Sequence, residues 1–468
     1  MTEVFQATID ESPHQRRSDV ARVDRELVAG VKKVSMSSAT LADQYQQTLP
    51  KLDPRHPEYV VGVVEYLLRF AQASGASDIH FTPADGGLEI DCRIDGVLVP
   101  MAVYPRQFAP NIVARLKVLA ELLTYKTDIP QEGRIQTSKP AATSPDSDGL
   151  TLETDVWEMR VSTFPTLFGE KAVVRIFAGS SRFQFPADLG LPDDIGDSLS
   201  QALQETTGAL LITGPAGSGK TTTAYACLRE IQRQHGRGKS LVTLEDPIET
   251  VLPAVAQSQV KRNVGFDYAV GLRSLMRQDP DVILVGEIRD RETAETVFQA
   301  CLTGHLVIST FHSGSACEAI SRLNDMGIEP YLLRTGLRSV LSQRLIRQLC
   351  ECAAWSDEPA DLLGFDLSRV RIPVGCPRCA GTGYYRRSLV AELLQPDQKE
   401  IGRAILSQFS ADDLQRTAMT TGFCTLGQRA RSLVESGMTS PAEIRRVLGF
   451  RHDCDIQATT IADQGRGQ

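Results

Sequence analysis

No run of apolar residues in this sequence is long enough to cross a membrane. A membrane-spanning helix needs about 20 consecutive, mostly apolar residues, and none of the apolar runs in the 468 residues approaches that length. The start of the chain, MTEVFQATIDESPHQRRSD, also lacks the apolar core of a secretory signal peptide. Together, the two absences predict a cytoplasmic protein.

Cysteine is sparse, and positive charge is not in excess. The ten cysteines are unevenly spaced, which in a cytoplasmic protein indicates thiols or metal ligands rather than a disulfide framework. Lys and Arg number 50 against 58 Asp and Glu, a formal net charge of -8. Proteins that bind nucleic acid usually show a basic balance or a basic patch. We therefore expect no nucleic acid as the main partner.

The sequence contains a phosphate-binding pattern at residues 214–223. The stretch GPAGSGKTTT satisfies G-x-x-x-x-G-K-[ST], in which glycines let backbone N–H groups turn toward a phosphate, Lys220 adds a positive charge and the Thr221 hydroxyl reaches Mg2+. An apolar run, GALLIT, precedes it, and a helical segment follows, so the loop lies where an anion meets a helix N-terminus. The predicted nucleotide-binding residues are Gly214, Pro215, Ala216, Gly217, Ser218, Gly219, Lys220, Thr221 and Thr222.

The chain divides into regions of different pattern. Its length suggests roughly three domains, and 42% hydrophobic residues are typical of a protein with real cores. One α+β region contains two amphipathic helices, a hairpin with its turn at Asp95-Gly96, and a turn-rich loop at 139–149. The predicted divisions are a polar leader of unknown role (1–54), this α+β domain (55–180), a linker (181–196), an α/β domain (197–450) and a disordered tail (451–468).

Polar residues follow four apolar runs of the α/β domain. The runs are ALLIT (209–213), SLVTL (240–244), DVILVG (281–286) and LVIST (306–310). Strands that alternate with helices build a parallel sheet, and ligands bind beyond the carboxyl ends of its strands. The four runs are followed by the phosphate-binding loop, Glu245, Glu287 and His312. The sequence therefore predicts an α/β fold with a parallel-rich sheet and a site at one edge of it.

The two glutamates fit the remaining needs of phosphoryl transfer, which are a metal ligand and a group that orients the attacking water. Glu287 is the predicted Mg2+ ligand, directly or through water, and it acts alone because Gly286 stands where an Asp usually precedes such a Glu. Glu245 is predicted to polarise the water, with Asp246 or Glu249 as alternatives. A simpler interpretation, that Glu245 or Glu249 caps a turn, stays open.

The two histidines differ in position. His312 follows the carboxyl end of its predicted strand and is well placed to contact a γ-phosphate. His305 precedes the same strand, at its amino end, where a structural histidine is the expected role.

Several stretches strongly resemble the type II secretion and type IV pilus assembly ATPases. They are GPAGSGKTTT, LVTLEDPIE, GLRSLMRQDPDVILVGEIRDRETAETVFQACLTGHLVISTFH and CPRCAGTGYYRR, with ASDIHF, CRIDGVL, QEGRI and RVSTFPTLFGEKAVVRIF in the first domain. The resemblance runs from about Val60 to Phe450. It implies a RecA-like P-loop NTPase core preceded by a smaller, PAS-like α+β domain.

The resemblance also implies roles for individual residues. Glu245 would belong to the aspartate box, Glu287 to Walker B, and both His305 and His312 to the histidine box, which sets His305 among the nucleotide-binding residues. Arginines of the first domain, Arg160 and Arg175, would reach toward the nucleotide phosphates and neutralise their charge. Sequence alone describes these two arginines only as alternating strand residues.

At the level of the whole protein, the resemblance implies ATP hydrolysis by a homohexameric ring. The ring would be peripheral to the membrane, at the inner face of the inner membrane, and would dock there through a platform protein of a pilus or secretion machine. Three alternatives remain: a pilus retraction ATPase, a conjugation or nucleic-acid-translocating ring ATPase, and a nucleotide-binding switch with little turnover.

Four cysteines bear on the choice between these subfamilies. Cys376-Pro-Arg-Cys379 is a regular pair, whereas Cys350-Glu-Cys352 is one residue short. The resemblance implies two such pairs holding Zn2+ in assembly and secretion ATPases, and none in retraction ATPases. Four thiolates suit a tetrahedral Zn2+ site, and free thiols are the alternative interpretation.

Overall fold

A computed structural model describes residues 40–137, 157–177 and 183–449. The predicted loop at 139–149, the tail at 451–468 and most of the predicted leader lie outside the described residues. The chain forms two compact units, residues 1–178 with 375–382 and residues 179–374 with 383–468. Within the described residues, no helix combines the length and apolar character that a membrane crossing requires.

The first unit consists of a six-stranded sheet and the helices that pack on it. Its elements are α1 (Leu41–Thr48), α2 (Tyr59–Ala73), β1 (Ala76–Ala84), β2 (Gly87–Ile94), β3 (Val97–Tyr104), α3 (Ala109–Leu119), β4 (Gln131–Thr137), β5 (Trp157–Thr166) and β6 (Gly169–Phe177). The strand order is β3-β2-β1-β6-β5-β4, and neighbouring strands run antiparallel. The predicted turn at Asp95-Gly96 joins β2 to β3, and both residues have positive φ.

The core of this unit begins before residue 55. Leu41 and Tyr45 of α1 are buried in the same cluster as Leu67 and Phe70 of α2. The Thr40 side chain caps α1 by accepting the N–H of Asp43 at 3.1 Å. Residues 40–54 therefore belong to the α+β unit and not to the predicted leader, because their apolar side chains complete its core.

The second unit consists of a seven-stranded sheet with helices on both faces. Its elements are α4 (Asp193–Ala202), β7 (Gly208–Thr213), α5 (Lys220–His235), β8 (Leu241–Glu245), β9 (Ala256–Gln259), α6 (Tyr268–Leu275), β10 (Val282–Val285), α7 (Arg291–Leu302), β11 (Leu306–Phe311), α8 (Ala316–Asp325), α9 (Pro330–Gly336), β12 (Leu337–Leu349), β13 (Ala354–Ser356), α10 (Pro359–Leu362), β14 (Val370–Ile372), β15 (Tyr384–Leu394), α11 (Lys399–Leu406), α12 (Ala411–Met419), α13 (Leu426–Glu435) and α14 (Pro441–Leu448).

The order of this sheet is β15-β12-β7-β11-β10-β8-β9. Its pairs are parallel except β12 with β15, so the predicted parallel-rich sheet is confirmed. Both faces are covered: Leu211 packs in one core cluster together with α7 and α8, whereas Leu210 and Ile212 pack in another together with α4 and α5. Burial on two sides explains why these strands are continuous apolar runs rather than alternating ones.

The segment predicted as a linker, 181–196, is partly structured. Pro186–Leu189 forms a short 3-10 helix, and Asp193 begins α4. Ile195 and Leu199 of α4 are buried against the sheet. The apolar residues of this segment therefore make it part of the second unit.

Candidate active site

The phosphate-binding loop connects the carboxyl end of β7 to the start of α5. Gly214 has a φ of 151°, and a side-chain Cβ at this position would lie 2.5 Å from Ser218 Oγ and 2.6 Å from the Gln343 carbonyl oxygen. Only glycine fits so close an approach of the backbone. Ser218 Oγ is buried and has no hydrogen-bond partner among the described residues. A tight loop with an unpaired buried hydroxyl fits a bound phosphate.

Lys220 is hydrogen-bonded to the backbone of the phosphate-binding loop. Its Nζ donates to the carbonyl oxygens of Gly214 at 2.8 Å and Pro215 at 2.9 Å. Burial lowers the pKa of Lys220, and the negative charges of Glu287 and Glu249 act in the opposite direction. The ammonium is thus positioned beside the acidic groups of the neighbouring strand ends. Thr221 and Thr222 are half-buried in the first turn of α5.

Glu287 and His312 meet at the edge of the sheet. His312 Nε2 lies 2.9 Å from Glu287 Oε1, and Arg289 Nε donates to Glu287 Oε2 at 2.6 Å. The side chain of Glu287 is 16% exposed, and that of His312 is 47% exposed. The two residues come from the ends of neighbouring parallel strands, β10 and β11. A carboxylate beside an imidazole offers a metal ligand and a hydrogen-bonding group at one place.

Gly286, which directly precedes Glu287, lies in a crowded position. A Cβ there would come within 2.8 Å of the Tyr268 hydroxyl and 3.3 Å of the Glu245 Cα. Tyr268 is buried, and burial raises its pKa, so its hydroxyl stays protonated. An aspartate at position 286 would therefore require the Tyr268 hydroxyl to shift.

Glu245 is the last residue of β8, and its carboxylate is buried, with the residue 3% exposed. It accepts hydrogen bonds from Thr243 Oγ1 at 2.5 Å, from Gln257 Nε2 at 3.2 Å and from the Tyr225 hydroxyl. Tyr225 belongs to α5, the helix that follows the phosphate-binding loop. Burial, and after it the contact with Glu245, raises the pKa of Tyr225. The contact links the carboxylate to the helix of the loop.

The two alternatives to Glu245 lie in the segment after the same strand. Asp246 Oδ2 lies 3.4 Å from Arg262 Nη2. Glu249 is exposed, and its charge acts on Lys220. Both residues are more exposed than Glu245, whose carboxylate is enclosed by its hydrogen-bond donors. Asp246 and Glu249 therefore remain alternatives for orienting water.

Side chains hold the loop that carries His312. Arg322 donates to the His312 carbonyl oxygen, and Arg344 Nη2 donates to the Gly314 carbonyl oxygen at 2.5 Å. Ser313 Oγ lies 2.6 Å from Thr213 Oγ1 at the end of β7. These contacts fix the backbone around His312, so its imidazole is presented from a rigid loop.

His305 is not brought to this edge. It directly precedes β11, and its carbonyl oxygen accepts the N–H of Gly208 at the start of β7. Its Nδ1 lies 3.0 Å from the Ala300 carbonyl oxygen and 3.1 Å from Thr303 Oγ1. Because β7 and β11 are parallel, His305 lies at the end of the strands opposite the phosphate-binding loop. Within one chain, these are the contacts of a structural histidine, and the implied role of His305 beside the nucleotide stays a prediction.

Sequence reasoning missed two residues of β12 that support the site. Gln343 is fully buried, donates from Nε2 to the Ser218 carbonyl oxygen at 2.7 Å, and accepts from Thr223 Oγ1 at 3.0 Å. Arg344, next in sequence, bonds the loop of His312. The available signal was the polar stretch Ser342-Gln343-Arg344 between apolar residues in VLSQRLI.

The arginines predicted from the first domain pair with carboxylates of their own unit. Arg175 Nε donates to Asp78 Oδ1 at 2.8 Å, and Arg160 forms an ion pair with Glu132. Arg160 and Arg175 lie directly opposite each other on β5 and β6. They therefore share one face of the sheet of the first unit.

The four predicted metal-binding cysteines lie together. Antiparallel pairs of Ala354 with Ile372 and of Leu349 with Tyr384 fix the chain on both sides of the segment that holds Cys376 and Cys379. The sulfur atoms of Cys350, Cys352, Cys376 and Cys379 all lie within 4.8 Å of one another. Four clustered thiols are a donor set that fits Zn2+, so the shortened first pair does not keep its sulfurs apart.

Comparison with known proteins gives a consistent result. The family model for "Type II/IV secretion system protein" matches residues 55–446. The chain is 37% identical over 416 residues to the type II secretion system protein E of Klebsiella pneumoniae, covering 87% of this chain and 80% of that protein. It is also 37% identical over 390 residues to the type IV pilus assembly ATPase PilB of Thermus thermophilus, covering 81% of this chain but only 42% of that protein.

A solved structure is similar as well. The crystal structure of the pilus retraction motor PilT with bound ADP superposes with a TM-score of 0.53 at 25% sequence identity, covering 82% of this chain and 96% of that one. The similarity confirms the predicted fold class.

Proposed function

This chain belongs to the family of type II/IV secretion system proteins, and we propose that it is a motor that hydrolyses ATP to drive assembly of a type IV pilus or a type II secretion pseudopilus. The relatives named above are a type II secretion protein and a type IV pilus assembly ATPase. The observation that carries the proposal is the convergence of Glu287 and His312, 2.9 Å apart, at the edge where the loop of Lys220 begins its helix.

The proposed chemistry assigns one task to each group. The loop at 214–222 binds the phosphates, with Lys220 as the positive charge. Mg2+ would be held by Thr221 and Glu287, and it would neutralise the charge that develops on the phosphates. His312 contacts the γ-phosphate, and Glu245 polarises the attacking water. The residues fit a nucleotide and Mg2+. The backbone of the loop is too close for a side chain at Gly214, as a phosphate-binding loop requires, and the strand ends offer carboxylate oxygens and an imidazole.

The family resemblance extends the proposal beyond one chain. Arg160 and Arg175 contact the nucleotide phosphates and neutralise their charge. Six copies form a ring, which docks on an inner-membrane platform protein at the cytoplasmic face. Binding of ATP favours one arrangement of the two units and hydrolysis removes that bias, so the cycle of the nucleotide becomes a mechanical cycle.

A second candidate function is pilus retraction, which the similarity to PilT favours. The cysteine cluster favours assembly or secretion, since the resemblance associates paired cysteines with those motors. Deleting the gene separates the two roles: loss of an assembly motor removes surface filaments, whereas loss of a retraction motor leaves them in place.

The basic activity is tested with the purified full chain. We expect release of phosphate from ATP that requires Mg2+ and stops on addition of EDTA, because the charge on the phosphates must be neutralised. Single-stranded DNA is expected to leave the rate unchanged. A preparation that binds ATP without turnover would support the switch, and stimulation by DNA would support the nucleic-acid-translocating ring.

The cysteine cluster makes a separate prediction. Metal analysis of the purified protein is expected to find about one zinc per chain, since a structural site of four thiolates holds a single ion. Cys379→Ser is expected to lose this zinc. Cys424→Ser is the matched control, because Cys424 lies outside the cluster. Full zinc content in the Cys379 variant, or none in the wild type, would contradict the site.

A further inference from the structure

A row of charged side chains crosses the sheet of the first unit. Direct cross-strand pairs place Arg93 opposite Asp78, Asp78 opposite Arg175, Arg175 opposite Arg160, and Arg160 opposite Arg134. Residues directly opposite each other in antiparallel strands lie on the same face. Four arginines and one aspartate therefore share one face of five neighbouring strands.

Asp78 is the carboxylate of this row, and it is nearly enclosed. Its side chain is 7% exposed. Arg175 Nε donates to Oδ1 at 2.8 Å, Ser77 Oγ donates to Oδ2 at 2.8 Å, and Arg93 Nε lies 3.7 Å from Oδ2. One buried carboxylate thus separates two guanidinium groups that would otherwise repel each other.

The contact with Asp78 uses only one edge of the Arg175 guanidinium. The Arg175 side chain is 64% exposed, and within the described part of the chain neither of its Nη groups forms a hydrogen bond. The outer edge of the fork, with its two Nη groups, is the edge that binds an oxyanion end-on. Asp78 therefore fixes the Nε edge of the Arg175 guanidinium and leaves the edge with the two Nη groups open.

Arg160 differs from Arg175 in this respect. Its Nη2 is paired with Glu132, and both partners of this pair are exposed. An exposed ion pair contributes little to stability, yet it occupies Nη2, one of the two Nη groups at the outer edge of the Arg160 guanidinium. Of the two arginines, Arg175 is the one presented ready for an anion.

We propose that Asp78 is a positioning residue that orients Arg175 for contact with a nucleotide phosphate. The inference rests on the proposed function, in which Arg175 makes that contact. Holding Nε in place removes rotamer freedom before the phosphate binds, so less conformational entropy is lost on binding. Arg175 would therefore be oriented by a residue of its own unit before the phosphate binds.

A double-mutant cycle tests the proposal. The kcat and KM for ATP are measured for Asp78→Asn, Arg175→Ala and the double variant. Asp78→Asn is expected to lower kcat/KM by roughly threefold to tenfold, the effect of one side chain that must be ordered at binding. In the Arg175→Ala background the same change is expected to have no further effect, because the residue that Asp78 orients is gone.

Two variants control for folding and charge. Asp91→Asn removes one carboxylate from the neighbouring strand β2, where Asp91 lies opposite His80 and not opposite an arginine, and it is expected to keep wild-type kcat/KM. Asp78→Glu keeps the charge but moves it by one methylene, so it is expected to lower kcat/KM while the melting temperature stays near that of the wild type.

The outcomes separate this inference from the function on which it rests. Equal losses from Asp78→Asn in both backgrounds would show a merely structural role and overturn the proposal, as would unchanged kcat/KM in Asp78→Asn. Wild-type kcat/KM in Arg175→Ala would overturn it too, since Arg175 would then have no phosphate contact to prepare. A wild-type chain that does not hydrolyse ATP would instead remove the proposed function itself.

Discussion

Replacement of Glu287 by glutamine is expected to reduce ATP turnover by about two orders of magnitude or more while ATP still binds. A metal that neutralises phosphate charge is worth several kcal/mol in the transition state, and each 1.4 kcal/mol changes the rate about tenfold. Glutamine keeps the size of the side chain and one acceptor for His312, so the strand ends should keep their arrangement. The variant loses the negative charge of the Glu287 carboxylate, which would hold the metal.

Steady-state phosphate release and equilibrium binding of a fluorescent ATP analogue measure the two halves of this prediction. The matched control is Glu295→Gln. Glu295 is also ion-paired with an arginine, since Arg291 Nε lies 2.6 Å from its Oε1, but it belongs to the exposed surface of α7. Wild-type turnover in the Glu287 variant, or an equal loss in the control, would rule out the assigned role.

Replacement of Lys220 by alanine is expected to abolish binding of ATP as well as its hydrolysis. The ammonium is buried in the loop and bonded to two of its carbonyl oxygens, so its removal takes away both a phosphate partner and an internal support. Charge-assisted hydrogen bonds contribute about 1.5–3 kcal/mol each. Two such bonds from Lys220 to the phosphates of ATP would correspond to a loss of affinity of roughly 10²-fold or more.

The Glu287 and Lys220 variants are expected to differ in ATP binding. Isothermal titration with ATP and Mg2+ should show binding by the Glu287 variant and none by the Lys220 variant. Lys399→Ala, which removes an exposed lysine at the start of α11, should bind like the wild type. If the Lys220 variant binds with wild-type affinity, the nucleotide is bound elsewhere on the chain.

The edge that carries the site could be predicted from the sequence, because it depends on local signals. Four apolar runs predict buried parallel strands, and the carboxyl ends of parallel strands lie together. Glu287 and His312 follow two such runs, and the structure places them in contact. The position of His305 at the opposite end could be predicted in the same way, since it precedes its strand, whereas the family resemblance groups it with His312.

The partners of Glu245 could not be predicted, because they are not local. Tyr225 lies 20 residues away along the chain, and Gln257 lies 12 residues away. Their contacts depend on how α5 packs on the sheet and on how β9 pairs with β8, and no periodicity of the sequence describes either arrangement. The same limit applies to Gln343, whose side chain reaches Ser218 from 125 residues along the chain.

In the first unit, alternation along β5 and β6 predicts that Arg160 and Arg175 face away from the core, and nothing more. The register between the strands decides that they are neighbours and that Asp78 lies beside Arg175. Register is set by the turns and by the pattern of buried side chains on several strands at once. A row of four arginines and one aspartate across five strands therefore becomes visible only in the folded sheet.

The central claim is that groups from separate strand ends meet around a triphosphate held by residues 214–221. A crystal structure of the protein with a non-hydrolysable ATP analogue and Mn2+ in place of Mg2+ tests it most directly, because anomalous scattering locates the metal. We predict Mn2+ beside the Thr221 hydroxyl, with Glu287 bound to it directly or through one water, and the γ-phosphate within reach of Lys220 and His312. A metal bound away from Thr221 and Glu287, or a nucleotide outside this loop, would contradict the account.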